Sequence, residues 1–160
     1  SFESRNIELI EYCDKNFETI IMSCGTSTFE EISKSVSKIQ NANLYLMHCV
    51  SVYPGEYNKA NLPKMKLLRQ LSSNVGLSDH IEGVESSKIA IGEGAVIIEK
   101  HFTIDKSLPG RDNKFAILPE ELSNLTNFIK NRLEMLTDQG SGFNDMEKDT
   151  RLNYTGRFDG

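Results

Sequence analysis

The sequence lacks several features that would assign it to a class at once. It has no apolar run of about 18 residues, so we expect no membrane span. Nothing at its start has the charged, apolar and small-residue order of a signal peptide. The three cysteines form no CxxC pair and no zinc-like cluster. This usage favours reduced thiols and therefore a cytoplasmic protein.

Common nucleotide-binding and nucleophile motifs are also missing. There is no GxGxxG turn, no GxxxxGK[ST] loop and no GxSxG elbow, which disfavours a nucleotide-binding sheet and a serine triad. With 18 basic against 23 acidic residues, the chain is a poor candidate for binding nucleic acid or anionic membranes. Its 160 residues suit one globular domain. An intact eight-fold β/α barrel needs about 200–250 residues, so a whole barrel is excluded.

Buried parallel strands are the clearest structural signal. Continuous β-branched and apolar runs with few charges predict strands at residues 19–24, 43–49, 74–80 and 95–103. Their starts are spaced by roughly 20–30 residues, the length of a strand with its crossover helix. The sequence therefore predicts an α/β fold of repeated strand–helix units.

Amphipathic segments fill the gaps between these strands. One carries Phe29, Ile32 and Val36 on one face, with Ser27 and Glu30 at capping-box spacing ahead of it. Others are predicted at residues 7–15, from 61 onward, at 85–93, and from 119 onward. Beyond residue 136 the composition turns polar, so we expect a domain over 1–136 and a loosely held tail or linker over 137–160.

Polar residues lie at or just beyond the carboxyl end of every predicted strand. This pattern favours part of a closed barrel over an open doubly wound sheet. Barrel enzymes place active-site residues at the carboxyl ends of many strands, whereas doubly wound sheets concentrate them at one switch point. The residues concerned are Ser23, Ser51, Tyr53, Ser78, Asp79, His80, Glu99, Lys100 and His101.

His80 and His101 end two successive strands and are candidate metal ligands. Side chains two positions apart share a face, so Ser78 and Glu99 would join them at one barrel mouth. Two imidazoles with oxygen ligands suit Mn²⁺, Zn²⁺, Fe²⁺ or Co²⁺. The alternative is two ordinary histidines, one capping a helix and one exposed.

Two further residues have both functional and structural interpretations. Asp112 follows a Pro109-Gly110 turn, where its carboxylate could bind hydroxyls or move protons, or simply stabilise the turn. Glu99 would stay ionised beside a cation if it faces inward, whereas facing outward it would form a salt bridge on the helix side. His48 alternates away from Cys49 and is interpreted as a core or supporting histidine. From the residues alone, the prediction is a barrel-type, metal-assisted enzyme of open class.

Five stretches in order resemble the sialic acid synthase family, whose members make N-acetylneuraminic, legionaminic and pseudaminic acids. They are residues 21–26 with 30–32, 46–54, 75–80, 94–103, and 109–112 with 118–122. The resemblance covers residues 1 to about 136 and implies a (β/α)8 barrel of the TIM type. The four strand–helix units here would form about its second, carboxyl-terminal half.

The resemblance also implies a reaction and a set of site residues. Family members condense phosphoenolpyruvate with an N-acylated hexosamine such as N-acetylmannosamine, giving a nonulosonic acid and phosphate. A divalent ion, usually Mn²⁺, would be held by His80 and His101. Asp112 and Glu99 are the candidate catalytic residues. The candidate substrate-binding residues are Ser1, Glu3, Ser23, Ser51, Tyr53 and Ser78.

Departures from the family pattern bear on which sugar is bound and on whether this chain carries all the residues of the active site. Cys24, Ile81 and Asn113 stand where the family usually has Thr, Thr and His. The phosphoenolpyruvate-binding lysines of the first half-barrel and the antifreeze-like domain, which supplies an arginine across a homodimer, have no counterpart. Arg151 or Arg157 would have to replace that arginine. We therefore expect the isolated chain to be inactive.

Two other hypotheses remain open at this point. One is a different metal-dependent β/α-barrel enzyme, such as an aldolase or a sugar hydrolase. The other is a non-catalytic half-barrel module that assembles with another chain, because its exposed sheet edges favour association.

Overall fold

A computed structural model of the chain describes residues 1–154 and 156. It divides into two compact units, residues 1–129 and residues from 130 onward. The first unit is built on one four-stranded sheet in which each strand pairs in parallel with the next. The strands are β1 (Thr19–Ser23), β2 (Asn43–Cys49), β3 (Asn74–Asp79) and β4 (Ile98–Lys100).

The strand order β1-β2-β3-β4 follows the sequence without a reversal. A doubly wound sheet reverses its order at a switch point, whereas a barrel adds each strand beside the previous one. The predicted parallel α/β arrangement is therefore confirmed, and the consecutive order agrees with a segment of a barrel.

The fourth strand is shorter than predicted, with three residues in place of 95–103. Before it, Val96 and Ile97 already bond to the β3 backbone, but outside the regular ladder. After it, the carbonyl of His101 accepts a hydrogen bond from the N–H of Ile117 at 2.8 Å. The apolar run continues through the irregular bonds on both sides of β4, so composition alone did not reveal where the regular strand pairing begins and ends.

Five helices accompany the strands, and two of them differ from the prediction. They are α1 (Ile7–Asn16), α2 (Phe29–Val36), α3 (Lys64–Leu68), α4 (Glu85–Gly92) and α5 (Pro119–Met135). The capping box of α2 is formed by Thr28 and Glu31, one residue after the predicted pair. The predicted helix from 61 onward is reduced to the five residues of α3. Asn61 has a positive φ of 46°, so it cannot lie in a right-handed helix.

The helix-facing side of the sheet holds the main core of the first unit. Its buried members include Ile32, Leu46, Met65, Leu68 and Val75. Because successive strand residues point to opposite faces, Ser23, Ser78, His80, Glu99 and His101 lie on the other face, which corresponds to the inner wall of a barrel, whereas Asp79 and Lys100 lie on the helix side. A smaller cluster of Val84, Ile91, Ile117 and Leu125 lies beside α5.

The second unit contains a helix that composition did not predict. After a short 3-10 turn at Asp145–Glu147, α6 runs over Lys148–Tyr154. Asn144 and Glu147 form a capping box at the start of that turn. Within the described residues, no helix is both long and apolar enough to cross a membrane.

A buried carboxylate on α1 organises the loop between α2 and β2. Asp14 Oδ1 accepts hydrogen bonds from the backbone N–H groups of Gln40, Asn41 and Ala42 at 2.9–3.1 Å. Oδ2 accepts another from the Asn41 amide at 2.8 Å. The backbone bonds from Ala42 and Asn41 contribute most to lowering the pKa of Asp14 from 3.8 to about 2.

We expect this carboxylate to make the chain sensitive to acid. Because the folded pKa lies below the unfolded one, the stabilisation is fully present above about pH 4 and is lost as pH falls towards 2. Asp14→Asn should therefore lower the urea midpoint at pH 6 and flatten its fall between pH 5 and 2. Glu8→Gln, an exposed change on the same helix, is the control. Unchanged pH dependence in Asp14→Asn would contradict this role.

Candidate active site

Polar side chains of all four strands converge at the carboxyl end of the sheet. Ser23 ends β1, Cys49 ends β2, and Ser78 and Glu99 lie at a paired position of β3 and β4. His80 and His101 each follow their strands by one residue. The predicted convergence of strand-end residues is therefore present in the structure.

His80 and His101 lie beside each other, with ring centroids 5.4 Å apart. The ring of Tyr53 packs against both, at 4.1 Å from His80 and 6.0 Å from His101. The ring of Phe115 lies 5.1 Å from that of His101 and 6.2 Å from that of Tyr53. The two imidazoles thus lie in one aromatic cluster, which holds their rings close together.

Hydrogen bonding determines which nitrogen of His80 is available. Its Nδ1 lies 3.1 Å from the carbonyl oxygen of Val50, an atom that can only accept. In the neutral ring Nδ1 therefore carries the proton, and Nε2 keeps a free lone pair, as a metal ligand requires. Burial lowers the pKa of His80, but the contacts with Cys49 and Val50 more than offset this, so its pKa lies above the ordinary value.

The carboxylate of Asp112 lies on the Nδ1 side of the His101 ring. Its Oδ2 lies 3.7 Å from Nδ1 of His101, within ion-pair range although too long for a hydrogen bond. Asn113 keeps the preceding turn closed by donating to the carbonyls of Leu108 and Pro109. The loop that carries Asp112 therefore brings its carboxylate close to His101.

A short hydrogen bond joins the two strands below the imidazoles. Ser78 Oγ donates to Glu99 Oε1 at 2.7 Å, so both side chains point to the inner face, as their paired register requires. The outward alternative for Glu99, a salt bridge on the helix side, is not what the structure shows.

Hydroxyl and thiol groups form the opposite side of the site. Ser1 Oγ lies 2.8 Å from Ser23 Oγ and 3.5 Å from Cys49 Sγ, and Cys49 Sγ lies 3.5 Å from Ser51 Oγ. Gly25 leaves room for this group, since a Cβ at that position would collide with the hydroxyls of Ser51 and Ser1.

Cys49 is the most perturbed ionisable group at this side. Burial raises the pKa of its thiol, but hydrogen bonds with the surrounding polar groups outweigh that effect and bring the pKa to about 6. The contributing side chains, in order, are His80, Ser1, Ser51 and Ser23. No motif in the sequence predicted this, because the four partners come from three different strand ends and the start of the chain.

Of four other residues named in the sequence analysis, Glu3 and His48 lie apart from this group, Arg151 belongs to the second unit, and Arg157 is outside the described residues. Glu3 is exposed and accepts a hydrogen bond from the Asn6 amide at 2.9 Å, so its contact with a sugar stays a prediction. The guanidinium of Arg151 lies over the ring of Phe143, 4.7 Å from its centroid. Arg157 lies outside the described residues. His48 is buried and bonds through Nε2 to the carbonyl of Ala60 at 2.7 Å.

Comparison with known proteins identifies the family. The sequence matches the NeuB family over residues 1–141. The chain belongs to the NeuB family. It is similar to N,N'-diacetyllegionaminic acid synthase of Legionella pneumophila, with 35% identity over 150 residues, 89% of this chain and 41% of that protein. N-acetylneuraminate-9-phosphate synthase of Drosophila melanogaster is 34% identical over 136 residues, 82% of this chain and 37% of that protein.

A solved NeuB-type structure supports the same fold. N-acetylneuraminic acid synthetase from Leptospira borgpetersenii, in complex with citrate, superposes with a TM-score of 0.81 and 31% identity. The match covers 96% of this chain and 56% of that one. The predicted fold, about half of a (β/α)8 barrel, is confirmed. The chain spans about two fifths of the Legionella relative, 41% of its length.

One structural feature of this NeuB chain was missed by sequence reasoning. Asp79 and Lys100 directly precede the two histidines and form a buried ion pair of 2.9 Å, with side chains only 2% and 4% exposed. Asp79 Oδ2 also accepts hydrogen bonds from the hydroxyls of Ser86 and Ser87, both at 2.6 Å. Burial raises the pKa of Asp79, but these hydroxyls and Lys100 outweigh it and keep the pKa below its ordinary value.

The donor set at the strand ends fits a transition ion only in part. Two imidazoles with adjacent oxygen donors suit Mn²⁺, Co²⁺ or Zn²⁺. Across the described part of the chain, however, no group of three or more His, Cys, Asp or Glu side chains is placed to hold an ion. An ion at His80 and His101 would therefore complete its coordination with water or substrate, leaving open positions of the kind that catalytic sites have.

Proposed function

We propose that this chain is the carboxyl-terminal half of the catalytic barrel of a nonulosonic acid synthase. The enzyme would condense phosphoenolpyruvate with the open-chain aldehyde of an N-acylated hexosamine and release phosphate. The observation that carries this proposal is the placement of His80, His101 and Asp112 together at the strand ends of a NeuB-family sheet. Because the chain spans 41% of the Legionella relative, the proposal concerns a site completed by further strands.

In this proposal the two imidazoles hold a divalent ion, Mn²⁺ in the first instance. His80 is set up for this by the Val50 carbonyl, which fixes the proton on Nδ1 and leaves Nε2 free. When bound, such an ion supplies a Lewis acid that polarises a carbonyl oxygen. Tyr53, which packs on both rings, would shield the ion from bulk water on the substrate side.

The hydroxyl-rich side of the site would bind phosphoenolpyruvate. Ser1, Ser23 and Ser51 offer hydroxyls close together, and hydroxyls can donate to phosphate or carboxylate oxygens. Ser78 donates to Glu99 in this structure, so contact with phosphoenolpyruvate would turn its hydroxyl proton from Glu99 to the ligand. Glu99 would then be free to accept a proton or a hydroxyl of the acceptor.

Asp112 would carry protons to and from the acceptor sugar. We expect Asp112→Asn to lower kcat by about a hundredfold, because a positioned general acid–base contributes 10²–10⁴ in typical enzymes. Steady-state rates on a complete, active protein would measure this. Asp105→Asn, on the same loop, is the matched control and should leave kcat unchanged. Equal rates for Asp112→Asn and the parent protein would contradict the proton role.

A chimera provides the direct test of the function. Residues 1–141 would replace the matching segment of the Legionella synthase, with the rest of that protein supplying the remaining strands. We expect phosphate release that requires both phosphoenolpyruvate and an N-acylated hexosamine, and no release from the 160-residue chain alone. A folded chimera that releases phosphate without the aldose would overturn the proposal in favour of a hydrolase. Turnover by the isolated chain would overturn the claim that the site needs further strands.

A further inference from the structure

The peptide groups around His80 are held from the helix side of the sheet. Asp79 Oδ1 accepts a hydrogen bond from the N–H of Ile81 at 3.0 Å, and Lys100 Nζ donates to the carbonyl of Ile81 at 2.6 Å. The carbonyl of His80 itself accepts from the N–H of Gly55 at 2.8 Å. The residues on both sides of His80 are thus fixed by one ion pair that lies behind the ring.

The same ion pair connects the two strands that carry the imidazoles. Asp79 and Lys100 are paired in the register of β3 and β4, and each is followed directly by a histidine. The hydroxyls of Ser86 and Ser87, in the first turn of α4, also donate to Asp79 and hold it against that helix. A shift of Asp79 relative to Lys100 would therefore change the separation of the two rings.

Stability alone gives a weak reason for such a pair. Replacing a buried ion pair by apolar residues of similar size is often neutral or stabilising, since desolvation offsets the attraction between the charges. Its distinctive property is geometric. Both carboxylate oxygens of Asp79 and the ammonium group of Lys100 make hydrogen bonds that hold them in place.

We propose that the Asp79–Lys100 pair is a positioning element that sets the spacing and orientation of the His80 and His101 rings. The hydrogen bonds that the pair makes outside itself go to the backbone of Ile81 and to the hydroxyls of Ser86 and Ser87, so it acts through the backbone of residues 79–81 and 100–101. The inference rests on the proposed function only in treating the two imidazoles as metal ligands. A measurement made without metal therefore tests the positioning by itself.

The first measurement follows the ring signals of the histidines by NMR in the metal-free chain. His80 lies 4.1 Å from the Tyr53 ring and His101 lies 5.1 Å from the Phe115 ring, so ring currents make their signals sensitive to position. In the charge-free variant Asp79→Asn/Lys100→Met we expect both sets of ring signals to move. Core methyl signals, such as those of Val75, should stay in place.

The second measurement uses Co²⁺ as a probe and follows its visible absorption. We expect at least about a tenfold loss of Co²⁺ affinity in the double variant, the lower end of the loss seen when groups supporting metal ligands are removed. Lys66→Met, which removes a cation from an exposed pair with Glu93, is the matched control and should change neither readout. Lys100→Arg keeps the charge but cannot reproduce both Nζ contacts, and it serves if the double variant does not fold.

The outcomes separate the two proposals. Ring signals that stay in place in a folded variant overturn the positioning role, whatever happens to Co²⁺. Displaced ring signals in a chain that shows no His-dependent Co²⁺ binding support the positioning role and count against the metal site. Displaced signals with unchanged Co²⁺ affinity would overturn the claim that ring spacing matters for the ligand.

Discussion

Replacement of either imidazole, in His80→Gln or His101→Gln, should reduce turnover of the chimera by at least about a thousandfold. A Lewis-acid ion contributes several kcal/mol of transition-state stabilisation, and about 4 kcal/mol corresponds to a factor of about 10³. The two single variants and the double variant should lose about the same factor, because in the proposed function both rings would hold one ion and removal of either would disable it. Phosphate release with saturating phosphoenolpyruvate and aldose is the measurement.

Metal binding by the same variants distinguishes this role from a structural one. Electron paramagnetic resonance of free Mn²⁺ reports affinity directly, and near-ultraviolet circular dichroism reports whether the aromatic cluster of Tyr53 and Phe115 is intact. We expect affinity to fall in both variants while the aromatic signal is kept. A folded double variant with the affinity of the parent protein would refute the assignment of both ligands. Glu8→Gln, far from the strand ends in sequence, is the control.

Removal of one partner of the buried ion pair should have the largest effect on stability. In Asp79→Ala the ammonium group of Lys100 loses its carboxylate while its side chain remains 4% exposed. An uncompensated buried charge destabilises a protein by about 3–5 kcal/mol, so a large fall in the urea midpoint is expected. Adding Lys100→Met to Asp79→Ala should recover part of this loss, because it removes the unpaired charge.

An ion pair on α4 with an exposed carboxylate provides the comparison. Glu85 pairs with Lys88 at 2.9 Å, and the carboxylate side chain is 64% exposed. We expect Glu85→Ala to change the free energy of unfolding by less than about 1 kcal/mol, as is typical of surface pairs. Similar losses in Asp79→Ala and Glu85→Ala would contradict the view that burial makes Asp79 critical.

The sheet could be predicted from sequence where hydrophobicity was continuous and the ends were marked by polar residues. β2 matches its predicted range of 43–49, and β1 and β3 each end one residue earlier than predicted. β4 could not be bounded this way, because its apolar run continues into segments that bond irregularly with Val75 and with Ile117. The start of helix α3 was predicted too early, because the spacing of its apolar residues gave no sign of the left-handed backbone at Asn61.

The site could be predicted to the extent that it depends on strand ends. His80, His101, Ser78 and Glu99 lie together because parallel strands bring their carboxyl ends to one edge, which spacing alone suggests. The ion pair of Asp79 and Lys100 could not be recognised, because two charged residues in buried strands give no sign of being each other's partner. Only the register of β3 and β4 makes them neighbours.

The uninterrupted strand order has a consequence for how the chain folds. Each strand pairs with the strand that follows it in sequence, so no pairing has to wait for a distant segment. Each pairing closes a loop no longer than one crossover, which limits the entropy lost in bringing the two strands together. The half-barrel can therefore grow by one strand–helix unit at a time, in the order in which a ribosome releases it. The two histidines become neighbours only at the last of these additions, when β4 joins β3.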